Sequence, residues 1–250
     1  MLSGARVEVV VPAFEEEAHV GRVVATMPAF VDRVVLVDDA SSDRTAEVAR
    51  AAAEASGRAL EIVRHPRRRG VGAAIASGYR AVLASPLEGA GPRDALCVMA
   101  GDGQMHPDDL EAVARPVVEG RAAYVKGERF SAPGVRQAMG APRWVGGQVF
   151  SRLTAAAVGV PLTDSQCGFT ALARGAASRL DLDGLWPGFG YPNDLLGQLA
   201  ARGLAIAEVP VRPVYGTETS KLRLRHLPPI FFLIGRAATR RVRGAKSSES

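Results

Sequence analysis

The sequence predicts an α/β protein with a doubly wound, mostly parallel sheet flanked by helices. Short apolar runs of strand length alternate with helical patterns through the first 120 residues. Such alternation is typical of β-α-β units, in which each helix returns the chain to start the next parallel strand. Acidic and glycine residues directly follow several of these runs, as expected where parallel strands end at a ligand-binding edge.

The predicted elements follow one another regularly over this first half. Predicted strands cover residues 7–11, 34–37, 60–63 and 95–100, and predicted helices cover 19–27, 70–83 and 107–118. A further, alanine-rich helix ends near Ser56 and follows the N-cap signal Ser41-Ser42-Asp43. The run 95–100 is continuously apolar, which indicates a strand buried on both faces.

The regular alternation ends after residue 118. Predicted strands lie at 122–125 and 206–211, predicted helices at 145–158 and 192–202, a polar turn at 161–169 and an aromatic, glycine-rich segment at 186–191. We predict one domain over residues 1–225, with halves of about 1–120 and 121–225. A basic amphipathic segment, 226–243, and a disordered tail, 244–250, follow it.

Composition restricts the class of protein. The 250 residues carry a net charge of +5, and the excess of cations is local, in 64–69 and from Lys221 onward. That locality favours phosphate or anionic lipid over nucleic acid as a partner. No apolar run reaches the roughly 18–20 residues of a membrane span, and we expect no signal peptide. Two cysteines in different settings, Cys97 and Cys167, indicate reduced thiols in a cytoplasmic protein.

Carboxylates follow several predicted strands at the same edge of the sheet. Because those strands are parallel, Glu16, Asp38, Asp39 and Asp102 are expected to converge there. Four carboxylates would repel one another unless a cation or hydrogen-bond donors lay among them. Asp102 and Gln104 could offer hard oxygens to a divalent cation that phosphates also hold. The alternatives are a solvated Asp102 in a turn, and an Asp38 that only caps a helix.

Other chemistries lack their motifs. Gly70-Val71-Gly72 has no third glycine at position 75, so the dinucleotide fingerprint is incomplete and hydride transfer is disfavoured. Neither a Gly-Lys-Ser/Thr phosphate loop nor a Gly-x-Ser-x-Gly nucleophile elbow occurs. The four histidines are scattered without metal-ligand spacing, and each is expected in a turn or at the surface.

Seven segments together resemble family-2 glycosyltransferases of the GT-A fold, most closely the branch of dolichyl- and polyprenyl-phosphate sugar synthases. In the family's order, over about residues 7–225, they are VVVPAFEEE, VLVDDASSDRT, GVGAAIASG, MAGDGQMHPDD, GERF, LTDSQCGFTA and VPVRPVYG with TSK. Any one segment is weak evidence, but seven in order are very improbable by chance. The resemblance implies a Rossmann-like nucleotide-binding half and an acceptor half.

The resemblance implies a nucleotide-diphosphate sugar as donor and Mg²⁺ or Mn²⁺ as cofactor. The donor-binding residues that it implies are Pro12, Phe14, Glu16, Asp38, Asp39, Arg69, Gly72 and Asp102. It also implies Asp102 and Gln104 as ligands of a metal that stabilises the leaving diphosphate as a Lewis acid. The family's Asp-x-Asp reads Ala100-Gly101-Asp102 here, so one ligand is absent and phosphates and water must complete the site.

On the acceptor side, the resemblance implies that Arg129, Arg143 and Lys221 bind phosphate, to which the arginine fork is well suited. Asp164 would line the donor-sugar pocket. Asp194 stands where the wider family has the acid of its Glu-Asp motif, and these two acids are the candidate catalytic residues. The alternatives are surface ion pairs for the two arginines and a helix N-terminal acid for Asp194.

The function expected from the resemblance is inverting, metal-dependent transfer of a sugar to a polyprenyl phosphate. One alternative is transfer to a sugar or natural-product hydroxyl, for which Asp194 or Asp164 would act as base. An alternative of another class is a non-catalytic module that binds nucleotide-sugars. A sugar nucleotidyltransferase is disfavoured because its glycine-rich N-terminal loop is absent.

The C-terminal segment combines an apolar run, 227–234, with four arginines at 236, 240, 241 and 243. This combination fits a helix that lies on an anionic membrane surface. The alternative is a helix docked on the catalytic domain or on a dimer partner. We therefore expect a cytoplasmic protein with peripheral contact at the inner face of the membrane and no nucleic-acid partner; a homo-oligomer is left open.

Overall fold

One mixed sheet organises the protein. The structure is a computed structural model and describes residues 1–214 and 227–247. Its strands, in chain order, are β1 (Val7–Ala13), β2 (Arg33–Asp38), β3 (Leu60–Arg64), β4 (Ala95–Val98), β5 (Tyr124–Glu128), β6 (Thr170–Ala173) and β7 (Ile206–Pro210). Within the described residues, the order across the sheet is β3-β2-β1-β4-β6-β5-β7.

Helices flank this sheet. They are α1 (Val20–Ala25), α2 (Thr45–Ser56), α3 (Val71–Ala84), α4 (Leu110–Val118), α5 (Val135–Met139), α6 (Ala141–Val158), α7 (Arg174–Ala177), α8 (Tyr191–Ala201) and α9 (Leu227–Ser247). A single 3₁₀ turn, Pro107–Asp109, leads into α4. The predicted doubly wound α/β class is confirmed.

The carboxyl ends of the parallel strands meet at one edge. β3, β2, β1 and β4 pair in parallel, and Ala13 of β1 lies opposite Asp38 of β2. The backbone N–H of Gly101, just after β4, donates to the carbonyl of Pro12 at 3.1 Å. β1 and β2 are buried along their whole length, as their valine-rich sequences indicate. The segments after β1, β2 and β4 are therefore neighbours.

Strand β6 was missed by the sequence analysis, which placed only a polar turn at 161–169 before it. Its sequence, Thr-Ala-Leu-Ala, has no alternation and few strand-favouring residues, so it carries no local signal. It forms because it is buried between β4 and β5 and pairs antiparallel with both. An antiparallel strand begins where its neighbours end, so the turn before β6 reaches the same edge as Asp102.

The C-terminal helix α9 packs against α6 and α8. Its residues Ile230, Leu233 and Ala237 are buried there. Gly197 on α8 permits the approach, because a Cβ at that position would lie only 2.7 Å from the Cβ of Ala237. The C-terminal helix is therefore docked on the rest of the domain, which is one of the alternatives that the sequence left open. The helix also continues to Ser247, into the tail predicted to be disordered, and residues 248–250 lie outside the described part.

Candidate functional site

A cleft opens at the carboxyl edge of the sheet, beside the end of β4. It holds about 440 Å³ of empty space, including its open mouth, and is lined by Asp102, Gln104, Met105, Arg129, Cys167, Gly168, Phe169 and residues 211–214. The N–H of Val214 donates to the carbonyl of Gln104 at 2.9 Å and closes one side. The fold thus brings together three predicted site residues, whereas Lys221 lies outside the described residues.

Asp102 and Gln104 present side-chain oxygens at this cleft. The Asp102 carboxylate accepts a hydrogen bond from the N–H of Gln104 at 3.1 Å, and no described residue forms an ion pair with it. The described residues contain no group of three or more His, Cys, Asp or Glu that could hold a metal. Two oxygen ligands still fit an ion such as Mg²⁺, which keeps several waters and takes its remaining ligands from phosphates.

Asp38 and Asp39, at the end of β2, are stabilised by neighbouring donors. Asp39 accepts hydrogen bonds from the backbone N–H of Arg69 at 2.8 Å and of Gly70 at 2.7 Å. Asp38 accepts one from the N–H of Ser41 at 2.8 Å, and its buried Oδ2 atom lies 3.2 Å from Nε of Arg64. The predicted crowding of carboxylates is therefore relieved on this side by N–H groups of the basic loop.

His65 was expected in a turn or at the surface, and this expectation is wrong. The side chain is buried, with Nδ1 2.6 Å from Oδ1 of Asp39 and Nε2 2.9 Å from Oγ of Ser77. No local sequence pattern predicts this role, because Ser77 contacts His65 only when α3 packs against the sheet. His65 thereby helps to fix the carboxylate of Asp39.

The other donor-side residues surround the end of β1 and the start of α3. The guanidinium of Arg68 lies 3.8 Å above the ring of Phe14, a cation–π contact. Glu16 is buried, and its N–H donates to Oγ1 of Thr45 at 2.8 Å. Gly72 lies in the first turn of α3. The predicted donor-side residues therefore gather around the same edge, on the β1–β2 side of Asp102.

On the other side of the cleft, Arg129 pairs with Asp164. Nε and Nη2 of Arg129 lie 2.6 and 3.0 Å from the two carboxylate oxygens of Asp164, which is fully buried. Glu208 on β7 accepts the backbone N–H groups of Thr163 and Asp164. The pair is therefore built into the turn before β6 and is not the surface ion pair left open by the sequence.

Lys126 stabilises the turn before β6. Its side chain is fully buried, and its Nζ donates to the carbonyl of Cys167 at 2.6 Å. Burial lowers the pKa of this lysine and raises that of the Cys167 thiol, because both charged forms lose contact with water. Lys126 thus holds the backbone of a cleft-lining residue.

Two predicted acceptor-half residues lie outside the lining of this cleft. Arg143 is exposed in the first turn of α6. Asp194 is buried beneath α9, where its Oδ2 accepts the N–H of Trp186 at 2.9 Å and its Oδ1 lies 2.5 Å from Nη1 of Arg240. The fold therefore separates these two residues from Asp102 and Gln104.

One cleft residue, Arg212, was missed by the sequence analysis. It follows β7, and its Nε and Nη2 atoms lie 2.9 and 2.6 Å from Oδ1 of Asp109. Its side chain remains 58% exposed at the cleft. The segment VPVRPVYG, quoted for the family resemblance, contains this arginine and could have indicated it.

Comparison with known proteins decides the family. The family model described as glycosyl transferase family 2 matches residues 8–180, which include Asp38, Asp102 and the Arg129–Asp164 pair. This chain belongs to glycosyl transferase family 2. The glycosyltransferase activity class expected from the seven segments is thereby confirmed.

Two curated relatives resemble this glycosyltransferase over most of their length. One is an uncharacterised protein of Methanocaldococcus jannaschii, 29% identical over 217 residues, which are 86% of this chain and 84% of the relative. The other is the UDP-N-acetylglucosamine–dolichyl-phosphate N-acetylglucosaminyltransferase of Methanococcus voltae. It is 27% identical over 226 residues, covering 86% of this chain and 87% of the relative.

Solved structures of glucosyl-3-phosphoglycerate synthase from Mycobacterium tuberculosis share the fold. One, with Mn²⁺, UDP and phosphoglyceric acid, has a TM-score of 0.66 at 21% identity and covers 96% of this chain and 79% of that chain. Another, with Mg²⁺ and UDP, has a TM-score of 0.64 at 22% identity, with coverages of 95% and 80%. This likeness confirms the predicted GT-A fold of the glycosyltransferase.

Proposed function

We propose that this glycosyltransferase transfers a sugar, with inversion, from a nucleotide-diphosphate sugar to a polyprenyl phosphate. The observation that carries the acceptor is that two helices packed against each other, α6 and α9, contain no acidic residue and expose large apolar side chains. Val145, Val149 and Leu153 are exposed at four-residue spacing along α6, and Phe231 and Phe232 are 52% and 63% exposed on α9. We refer to these five residues as the α6–α9 face.

Charge supports the same assignment for the α6–α9 face. The sequences Ala141–Val158 and Leu227–Ser247 contain arginines and no aspartate or glutamate. An apolar face with a cationic flank suits the interface of an anionic membrane, where a polyprenyl phosphate would be embedded. No helix among the described residues is long and apolar enough to cross a membrane, so we propose peripheral contact.

The donor would bind at the carboxyl edge, with its base and ribose among the donor-side residues and its diphosphate near Asp102. Asp102 and Gln104 would hold Mg²⁺ or Mn²⁺, which supplies Lewis-acid stabilisation of the leaving diphosphate when bound. Arg129 and Arg212 would contribute positive charge on the acceptor side of the cleft, where a phosphate must approach the sugar. Arg143 and Lys221 remain proposed phosphate ligands.

A hydroxyl acceptor is the alternative, and it would need a base to remove its proton. The two acids that could serve, Asp164 and Asp194, are both buried and paired with arginines. A phosphate acceptor with a second pKa of about 6 arrives ionised and needs no such base. The engagement of both acids therefore favours a phosphate acceptor.

The test is transfer from UDP-N-acetylglucosamine, with Mn²⁺, to a short-chain polyprenyl phosphate. The matched control acceptor is the corresponding polyprenol, which lacks only the phosphate, and phosphoglyceric acid is a soluble phosphorylated competitor. We expect product only with the polyprenyl phosphate. Preferential transfer to the polyprenol or to phosphoglyceric acid would reject this acceptor. Because one sugar nucleotide does not represent all donors, a panel of UDP- and GDP-sugars is assayed in parallel.

A further inference from the structure

A continuous set of hydrogen bonds links α9 to the start of α3. Nη1 of Arg240 on α9 lies 2.5 Å from Oδ1 of Asp194, and Oδ2 of Asp194 accepts the N–H of Trp186 at 2.9 Å. The next residue, Pro187, accepts the N–H groups of Gly72 and Ala73 at 2.8 and 3.2 Å with its carbonyl oxygen. The bonds join α9 to α8, α8 to the segment that precedes it, and that segment to α3, so the set depends on the tertiary fold.

The Pro187 carbonyl accepts hydrogen bonds from backbone N–H groups at the N-terminus of α3. The first N–H groups of a helix have no partner within it and must find one elsewhere. Gly70, Gly72 and Ala73 stand at this end, and the N–H of Gly70 is taken by Asp39. Moving Pro187 would leave the N–H groups of Gly72 and Ala73 unpaired, so its position determines how the donor side is shaped.

Packing at Gly72 shows how closely the two segments fit. A Cβ on Gly72 would overlap the carbonyl oxygen of Trp186 and lie 2.7 Å from Cβ of Tyr191. Such contact leaves little room for the 186–187 segment to move independently of α3.

Asp194, at the centre of this set of hydrogen bonds, is poorly placed to act as a general base. Asp194 is 1% exposed, and both of its carboxylate oxygens already accept bonds. A second arginine of α9, Arg236, lies 3.5 Å from Oδ1 of Asp194. A general base must reach the proton that it removes within hydrogen-bond distance or through one water, and this carboxylate lies beneath a helix.

We propose that Asp194 is a positioning residue, locked by Arg240, through which α9 holds Trp186 and Pro187 against the start of α3. Because α9 also carries Phe231 and Phe232, contact of the α6–α9 face with lipid would act on the helix that holds this lock. The part concerning donor and lipid rests on the proposed function, whereas the lock itself rests only on the fold.

Amide hydrogen exchange of the free protein tests the lock without any ligand. The variants are Asp194→Asn and Arg240→Ala, and the matched control is Arg241→Ala. Arg241 is the neighbouring arginine of α9, but its guanidinium contacts the carbonyl of Ala156 instead. We expect exchange at Trp186, Gly72 and Ala73 to accelerate about tenfold or more in both variants, because each substitution removes one charge of the Arg240–Asp194 pair and weakens the bonds that depend on it.

The control should retain wild-type exchange at these three amides. Melting temperatures establish that each variant is folded, and Arg236 remains in Arg240→Ala to pair with the buried carboxylate. The double variant should exchange no faster than the faster single variant, because both substitutions break one unit. Unchanged exchange in Asp194→Asn and Arg240→Ala would overturn the lock.

Calorimetric titration with UDP and Mn²⁺ then connects the lock to the donor site. We expect both variants to bind UDP about tenfold more weakly than wild type, and Arg241→Ala to bind normally. Loss of turnover in Asp194→Asn with exchange and UDP affinity both unchanged would assign a catalytic role to Asp194 and overturn the proposal. Failure of the wild-type protein to bind UDP would count against this donor, while the exchange result would still decide the lock.

Discussion

The guanidinium of Arg129 and the carboxylate of Asp164 form a two-pronged ion pair at the cleft, with N···O distances of 2.6 and 3.0 Å. The arginine is 20% exposed, whereas the aspartate is fully buried. A phosphate that approaches Arg129 would therefore meet a cation whose orientation is set by a carboxylate beneath it. One substitution at Arg129 would therefore remove both a partner of the buried carboxylate and the positive charge proposed to bind phosphate.

Replacing Arg129 by alanine should lower the free energy of unfolding by about 3–5 kcal/mol, because the buried charge of Asp164 loses its partner. Chemical denaturation measures this change. Arg143→Ala is the matched control, since Arg143 is exposed and forms no ion pair with any described residue. We expect its stability to match wild type and its KM for polyprenyl phosphate to rise. Equal stability of the two variants would contradict the structural role of Arg129.

Asp102→Asn should reduce turnover by about 10²–10³-fold, the usual effect of removing one group that stabilises developing charge. Its melting temperature should stay near wild type, because Asp102 accepts only the Gln104 N–H bond. The control is Asp108→Asn, which removes an equal charge from a 74% exposed side chain nearby. Wild-type activity in Asp102→Asn, or in excess chelator, would remove the metal from the proposal.

Gly72→Ala should destabilise the protein by about 1–3 kcal/mol, because the added methyl group overlaps the Trp186 carbonyl. UDP affinity should fall as well if the start of α3 shapes the donor site. Gly146→Ala on α6 is the matched control. Apart from the neighbouring backbone of α6, no atom lies within 4 Å of its added Cβ, so helix propensity alone predicts a gain of up to about 1 kcal/mol. A neutral Gly72→Ala would show that the 186–187 segment moves freely.

Phe232→Ser should lower affinity for phosphatidylglycerol-containing vesicles about tenfold, equivalent to roughly 1.4 kcal/mol of lost apolar burial. Val149→Ser, on the adjoining helix, should act in the same direction. Vesicle co-sedimentation measures the binding, with phosphatidylcholine vesicles and raised salt as controls for the electrostatic part. Equal sedimentation of wild type and both variants would show that the α6–α9 face does not contact lipid.

The sequence by itself determined the doubly wound first half of the chain and which acidic residues lie at the carboxyl edge of its sheet. The parallel strands there are short, mostly apolar runs that alternate with helical patterns, so residues close in sequence carry the information. The carboxylates after β1, β2 and β4 were placed together correctly because parallel strands all end at one edge. The family resemblance was equally local, since it rested on seven short segments.

Only the tertiary structure decided what those residues contact. Strand β6 forms because β4 and β5 enclose it, and the turn before it brings Asp164 to Arg129, which is 35 residues away in the sequence. His65 is buried because α3 supplies Ser77, and Asp194 is enclosed because α9 returns over α8 from 46 residues further along the chain. Each outcome depends on a partner distant in sequence, and a charge or a helical pattern does not specify which distant group will neutralise or cover it.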